Sequence, residues 1–363
     1  MEKRSNKTYK KRKRENPAID LFTRKEIIRV YYRGNPVCVN IEINERCAGG
    51  CLYCYASALD RDDLRNDNLA FNKFKEILEL RKLGVQVIYL YGGDQLIHPN
   101  CQELIFHAIQ EGFHLFLPLA GLIPKNKAKW LVEAYNLARS RDQEFILGIH
   151  IDTLDKEIYN QVNSLPYTLK AKIDGYKTLL DEGFPPDRIY GCPTLTSQTA
   201  KTIIELMDWF YSQGAKHVAI ALFRPLGLAK NDGQRWEPKL SQIEKAFRHR
   251  AKVEGNNMLM VGSSDGRYAC QSHIAILANG NVVPCLLLPD LPEGNIYDEN
   301  ILKIVKRAKR KLLLKINVKG PCASCVAKLY CYGCRANAHI YLGDITASDP
   351  KCFFNPDAPD KCL

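Results

Sequence analysis

Long apolar runs are absent from this 363-residue chain. None approaches the ~20 residues that a bilayer-spanning helix needs, and residues 1–14 are charged where a secretory signal would be apolar. Neither a membrane span nor an export signal is expected, and the sequence reads as a soluble protein of the cytoplasm. Internal repeats and low-complexity linkers are also lacking. Two basic segments, "KRSNKTYKKRKREN" and "KIVKRAKRKLLLKINVK", carry much of the net charge of +12, and neither is accompanied by an aromatic stacking motif. Charge alone is a weak footprint for nucleic acid, and basic runs are commonly solvated tails and faces. Nucleic-acid binding is therefore not expected.

The 46% hydrophobic content allows a large core and more than one domain. The chain also has fourteen cysteines. In a reducing compartment they would not form a disulfide framework, so metal or redox chemistry is the better expectation. Three of them, Cys47, Cys51 and Cys54, form one cluster, "CAGGCLYC". Seven more lie between Cys270 and Cys352. Cys38, Cys101, Cys192 and Cys362 are scattered and read mainly as small buried hydrophobes.

From residue 37 short β-branched runs alternate with amphipathic stretches. "VCVNIEINE", "VQVIYLY", "HLFLPL", "FILGIHID", "RIYGCPTL" and "HVAIALF" read as strands. Between them lie helical patterns such as "FNKFKEILEL", which puts Phe71, Phe74, Ile77 and Leu78 on one face. Six strand–helix alternations predict a parallel sheet with right-handed crossovers. Six units are too few for a closed eight-fold barrel, so the expected fold is α/β, a partial (β/α)6 TIM barrel. Chemistry in such folds sits at the C-terminal ends of the strands, where the Cys47–Cys54 cluster and "YGGDQ" both fall. The expected division is a basic N-terminal segment (1–36), the partial barrel (37–235), and a linker helix with a cysteine-rich domain (236–363). Metal ligation would supply folding energy to the last.

C-x3-C-x2-C supplies three thiolates on a tight loop, whereas a structural zinc site wants four ligands. No histidine lies near in sequence to complete one. A [4Fe–4S] cube on three cysteines leaves one iron open. With Tyr53 before the last cysteine, the motif resembles that of the radical S-adenosylmethionine (SAM) enzymes. The resemblance implies that the open iron binds the amino and carboxylate groups of SAM, and that one electron cleaves it to a 5′-deoxyadenosyl radical. "GGDQ", Gly92, Gly93, Asp94 and Gln95, looks like the family's Gly-Gly-Glu-Pro stretch, which hydrogen-bonds the SAM amino group. Asp stands here for Glu and Gln for Pro. "GIHIDTLD" resembles the family's fourth-strand Ser-x-Asp region, with His150 where serine is common. His150 thus has two open roles, contact with SAM or substrate, or packing at the strand end. Thr194 and Thr196 lie near the same mouth as cofactor contacts or helix-capping hydroxyls.

The C-terminal cysteines resemble the SPASM domain, the auxiliary-cluster domain of many radical SAM enzymes. Cys270 and Cys285 match C-x9-G-x4-C, and Cys322, Cys325 and Cys331 match C-x2-C-x5-C. Cys331 to Cys334 is x2 where the pattern has x3. Carried over by matching positions, Cys270, Cys285 and Cys334 hold auxiliary cluster I, and Cys322, Cys325, Cys331 and Cys352 hold auxiliary cluster II. The fourth position of cluster I stays open among a free iron, a non-cysteine ligand and Cys362. Leu286 stands where sulfatase-maturing relatives carry an aspartate that serves as the base, with Asp290 and Glu293 nearby.

The expected activity is radical chemistry on a peptide or cofactor precursor, with an electron donor such as ferredoxin or flavodoxin. The tail "GCRANA…GD…ASDPKC" resembles members that mature heme-type and quinone cofactors. Only 46 residues precede Cys47, so a peptide substrate is expected to bind directly or through a separate recognition partner. The competing readings are an iron–sulfur electron-transfer protein without radical chemistry, and a zinc-stabilised nucleic-acid-binding protein.

Overall fold

The computed structural model describes residues 16–58, 68–259 and 261–363. The N-terminal basic run, up to residue 15, lies outside the described residues. Five strands form the first wall: β1 (Cys38–Glu42), β2 (Val87–Tyr91), β3 (His114–Leu119), β4 (Phe145–Ile149) and β5 (Ile189–Gly191). They are followed by β6 (Thr194–Leu195), β7 (Ala221–Leu222), β8 (His273–Ile276) and β9 (Val282–Val283). The main sheet has the order β5-β4-β3-β2-β1-β8-β9, parallel throughout except for the final β8–β9 pair. Helices such as Cys101–Gln110, Lys125–Ser140 and Thr168–Asp181 cover its outer face.

The strands are apolar on both faces, as a parallel sheet requires. Val39 and Ile41 join the large core beneath the helices, while Cys38, Val87, Phe116, Ile146 and Tyr190 meet inside the barrel. Tyr89 stacks on Phe116 with ring centroids 4.4 Å apart. The barrel is therefore filled with side chains at its base. Glu42 and Tyr91 are register partners at the C-terminal ends of β1 and β2.

Two expectations about strands are corrected. "RIYGCPTL" splits into β5 and β6, and "HVAIALF" keeps only a bridge at Val218 and the two-residue β7. The two segments still run side by side, with Ala219 N–H donating to Gly191 O, Ala221 N–H to Pro193 O and Phe223 N–H to Leu195 O. Pro193 has no N–H to return, so the ladder breaks there. The second correction is β8. It lies in the cysteine-rich segment and pairs parallel with β1 from Cys38↔His273 to Ile41↔Ile276. The barrel sheet thus runs past residue 235, and part of that segment is ordered by strand pairing as well as by any metal. Most of the second basic run lies in the helix Ile301–Leu312, which buries Ile301, Ile304, Val305, Ala308 and Leu312 and exposes Lys303, Lys306 and Lys311.

The C-terminal region also grips the barrel through a buried ion pair. Lys351 Nζ lies 2.9 Å from Glu237 Oε1, and both side chains are wholly buried. Lys351 Nζ donates to Phe223 O just past β7 (2.8 Å), and Tyr341 OH donates to Glu237 (2.8 Å).

The loops after β1 and β2 are fixed by one close approach. Gly93 N–H donates to Asn44 O (3.0 Å) and Asp94 N–H to Arg46 O (2.7 Å). A Cβ on Gly93 would lie 2.0 Å from Arg46 O, and one on Gly92, whose φ is +148°, would lie 2.4 Å from Asn44 Oδ1. Backbone cannot yield as a side-chain tip can. Gly93→Ala is therefore expected to lower the unfolding free energy by about 1–3 kcal/mol and to reduce iron retained at the Cys47–Cys54 loop. Denaturant titration with iron assay checks this; unchanged values for both would mean the loops tolerate separation.

Candidate radical and auxiliary cluster sites

The cysteine loop follows β1 and is held from below. Asn163 Nδ2 donates to Gly49 O (2.7 Å), Ser164 N–H to Gly50 O (2.8 Å) and Leu52 N–H to Val162 O (3.0 Å). Gly49 leaves a hollow: its missing Cβ would sit 3.1 Å from Cys47 Sγ and 3.9 Å from Cys51 Sγ. Burial pushes the Cys47 thiol up to about 12, and Cys51 and Asp94 add to the effect. Burial likewise pushes Cys54 up to about 11. Three partly buried thiols that would repel one another as thiolates suit a positive centre among them. The donor set and the glycine hollow fit a cluster on three cysteines.

Beneath the loop is a polar knot that sequence reasoning only partly identified. Tyr53 OH donates to Asp152 Oδ2 and lies 3.2 Å from His150 Nε2, which is 3.1 Å from Asp152 Oδ1. On its other side, His150 Nδ1 lies 3.1 Å from Lys172 Nζ and 3.9 Å from Cys51 Sγ. Burial alone would raise the Asp152 carboxyl; the imidazole outweighs it and holds the group at about 2. Burial weakens the imidazole's hold on its proton, and Asp152 more than offsets that while Lys172 opposes. A protonated Nδ1 and an ammonium cannot face each other at 3.1 Å, so His150 and Lys172 carry one positive charge between them. Burial also opposes the Lys172 ammonium, and Cys51, Tyr159 and Asp152 favour it. Lys172 is wholly buried, and among the described residues no carboxylate forms an ion pair with it.

Of the predicted cofactor contacts, Gly92 and Gly93 pack on the cysteine loop as described. Asp94 is buried and its Oδ1 accepts from Leu96 N–H (3.1 Å), which caps a short 3-10 turn. Gln95 is buried, and among the described residues its Oε1 has no hydrogen-bond partner. His150 does more than fill the strand end, since it joins Tyr53, Asp152 and Lys172. Thr194 meets the knot through its N–H, which donates to Asp152 Oδ1 (2.8 Å). Thr196 is a capping hydroxyl that accepts from Thr199 N–H (3.1 Å). Asn44, Asp152 and Lys172 were missed as individual residues. Only the His-x-Asp spacing pointed toward Asp152.

The C-terminal thiols fall into two groups. Burial raises Cys270, with Cys334 and Cys285 adding, and burial pushes Cys285 up to about 11. Burial pushes Cys352 up to about 12, with Cys331 and Cys322 among the nearby groups adding. Glycines again make room: a Cβ on Gly333 would lie 2.9 Å from Cys322 Sγ, and one on Gly262 2.9 Å from Cys352 Sγ. Cys325 Sγ accepts from Ala327 N–H at 3.4 Å. Cys362 Sγ faces Pro350 O at 3.5 Å and stands beside Glu237 and Lys351. The glycine hollows lie beside Cys322 and Cys352, whereas Cys270, Cys285 and Cys334 are brought together by their effect on one another's thiols.

Between the barrel mouth and the C-terminal region lies a cavity of about 920 Å³, lined among others by Tyr55, Leu226, Lys230, Leu287, Asp290 and His339. Its barrel-side loop rests on the cysteine loop, with Leu228 N–H donating to Cys54 O (2.9 Å). Asp290 and His339 pair at 2.6 Å on the far wall.

Comparison with known proteins agrees with this arrangement. Residues 41–210 match the radical SAM superfamily, and residues 268–326 match SPASM, an iron–sulfur cluster-binding domain. The chain is similar to the "AdoMet-dependent heme synthase" of Methanosarcina barkeri, 22% identical over 346 residues, 87% of this chain and 95% of that protein. It is similar to the "PqqA peptide cyclase" of Rhodopseudomonas palustris, 22% identical over 363 residues, 89% of this chain and 88% of that protein. Among solved structures, Streptococcus suis SuiB bound to S-adenosylmethionine superimposes with a TM-score of 0.64 at 17% identity, covering 93% of this chain and 83% of that one. Native anSMEcpe with bound AdoMet gives 0.65 at 17% identity, covering 86% and 94%. These likenesses establish the fold, a partial barrel with a C-terminal cysteine-rich domain. None of them supports the electron-transfer or the zinc reading, and no described helix is long and apolar enough to cross a membrane. Residues 41–210 are therefore a radical SAM domain and residues 268–326 a SPASM domain, and the protein is a radical SAM enzyme whose domains imply SAM and iron–sulfur clusters.

Proposed function

We propose that this enzyme cleaves SAM reductively at the Cys47–Cys54 loop and takes a hydrogen from a peptide held in the cavity beside Tyr55. The reading rests chiefly on Lys172. Lys172 is wholly buried, and among the described residues no carboxylate contacts it directly, Asp152 reaching it only through His150. An ammonium so placed suits an anion, and we assign that anion to the carboxylate of SAM. Cys47, Cys51 and Cys54 would hold a [4Fe–4S] cluster. The backbone at Gly92 and Gly93, with Asp94 and Gln95, would take the ammonium of SAM, and Thr194 and His150 would close the same mouth. When bound, cluster and SAM supply the 5′-deoxyadenosyl radical that abstracts the hydrogen. Asp152 meanwhile holds His150 and Tyr53 in place, so that Lys172 keeps its charge beside Cys51.

The C-terminal thiols would hold two auxiliary clusters, one on Cys270, Cys285 and Cys334, the other on Cys322, Cys325, Cys331 and Cys352. Residues 236–363 would thus form an auxiliary-cluster region that shares its sheet with the barrel of residues 37–235. No disulfide joins any two of the fourteen cysteines, which suits the reducing cytoplasm, where we place the enzyme with a one-electron donor such as ferredoxin or flavodoxin.

A peptide is favoured by the charge on the cavity wall. Lys230 and His339 are balanced there by Asp232 and Asp290, a poor match for a ligand with several carboxylates. The structure of SuiB bound to its precursor peptide SuiA offers a parallel for a peptide. A tetrapyrrole precursor is the second reading, favoured by the two heme synthases among the relatives.

Three measurements test these assignments. Replacing Cys47, Cys51 and Cys54 together with alanine is expected to abolish 5′-deoxyadenosine formation under dithionite while auxiliary iron remains; an unchanged yield would remove the radical SAM assignment of this loop. Lys172→Met is expected to weaken SAM binding at least tenfold, since truncating one partner of a buried charge pair costs about 2–5 kcal/mol, with iron at the first loop retained. Equilibrium binding of SAM to the reconstituted enzyme decides it, and wild-type affinity would disprove the role. For the substrate, deuterium from a deuterated precursor peptide encoded near the gene is expected to appear in 5′-deoxyadenosine. Deuterium transfer from a carboxylate-bearing tetrapyrrole, and from no peptide, would make the second reading correct.

A further inference from the structure

Arg224 belongs to the barrel by sequence and to the C-terminal region by its contacts. It stands two residues past β7, and its Nη1 donates back to Leu222 O (3.0 Å). The rest of the guanidinium reaches across. Nε donates to Asn337 Oδ1 (2.7 Å) and Nη2 donates to Cys334 Sγ (3.5 Å). Asn337 is wholly buried and its Nδ2 donates to Asp349 Oδ1 (3.0 Å). Asp349, also wholly buried, accepts Cys334 N–H on Oδ2 (2.8 Å), and its own N–H donates to Cys322 Sγ (3.4 Å). One chain of hydrogen bonds therefore ties a barrel strand end to one thiol from each auxiliary group.

The two groups are not treated alike. Cys334 receives a cation. Cys322, Cys325 and Cys331 receive neutral donors: the N–H groups of Asp349, Ala327 and Gly333, and the Ser264 hydroxyl, which lies 3.1 Å from Cys331 Sγ. A hydrogen bond from a partly buried cation to a ligating sulfur draws electron density from it and favours the more negative, reduced form of whatever that sulfur ligates. We infer that Arg224 is a positioning residue that raises the reduction potential of the auxiliary cluster at Cys270, Cys285 and Cys334. The inference rests on the auxiliary-cluster reading given above. Asn337 aims the guanidinium at the sulfur, and Asp349 holds Asn337.

The test is a potentiometric titration of the anaerobically reconstituted full chain, followed by electron paramagnetic resonance, with the signal of this cluster assigned by its loss in Cys334→Ala. In Arg224→Gln, which keeps a donor and loses the charge, that signal is expected to move to lower potential. The reduced fraction at a fixed poise should fall about tenfold, equivalent to about 59 mV for one electron. Arg224→Lys, which keeps the charge, should recover more than half of the shift. Iron content and the other two signals should not change. Retained iron with an unmoved potential in Arg224→Gln overturns the inference, as does a lysine variant no better than glutamine or a common shift of all signals. Loss of iron in both variants would make Arg224 a folding contact and overturn it too. If Cys334→Ala removes neither iron nor a signal, the auxiliary-cluster reading itself is what fails.

Discussion

The contact of Gly93 with the backbone of Arg46 is the constraint on which the site depends. β1 and β2 pair in register up to Glu42 and Tyr91, so their two loops leave the sheet side by side. Chemistry needs those loops to touch, and any side chain on Gly93 would meet the Arg46 carbonyl at 2.0 Å. With no Cβ there, the amides of Gly93 and Asp94 bond to the carbonyls of Asn44 and Arg46. The first cysteine of the loop, Cys47, is then fixed one residue beyond a hydrogen-bonded carbonyl. Asn44 reinforces the junction, accepting from Gly93 N–H (3.1 Å) and donating to Asp94 O (2.9 Å). The loop after β2 is thus a buttress for the cysteines as well as a surface for ligand.

The second condition is electrostatic. Sulfur, carboxylate and ammonium are buried together under the loop, and burial alone opposes each charge. Asp152 resolves this by sitting between Tyr53 and His150, and His150 resolves it again by sitting between Asp152 and Lys172. The result places a positive charge beside Cys51 without leaving Asp152 unpaired. Histidine suits the position because it has a nitrogen for each neighbour, whereas a serine hydroxyl has a single atom to share.

What was legible in the sequence follows from what is local. The helix Lys125–Ser140 has the span of the periodic pattern "KNKAKWLVEAYNLARS", and the cysteine loop carries its meaning in its own spacing. Lys172 was invisible because "TLKAKIDGYK" reads as an amphipathic helix with lysines toward water; only the approach to His150, 22 residues away, reveals a buried cation. β8 was hidden by the cysteines that flank it, since "CQSHIAILANGNVVPC" reads as ligand spacing before it reads as a strand. The sixth strand was overestimated because "HVAIALF" has the composition of a long strand, while its partner carries Pro193 and cannot complete the ladder.

β8 also changes what the C-terminal region is. Pairing with β1 puts Cys270 just before one strand of the barrel sheet and Cys285 two residues after its antiparallel partner β9. Lys351 and Tyr341 hold the backbone past β7 from the other side. The cysteine-rich region is therefore fastened to both margins of the partial barrel, beside β1 and beyond β7, and the cavity is what remains between. A rigid frame of this kind would, under the proposed function, let a radical formed at Cys47–Cys54 and a substrate in the cavity keep a constant separation. Placement to within a fraction of an ångström matters most in reactions that must proceed along one path among several. The fully buried Lys351–Glu237 pair fits that demand, because such pairs contribute little net stability yet penalise any arrangement that parts them.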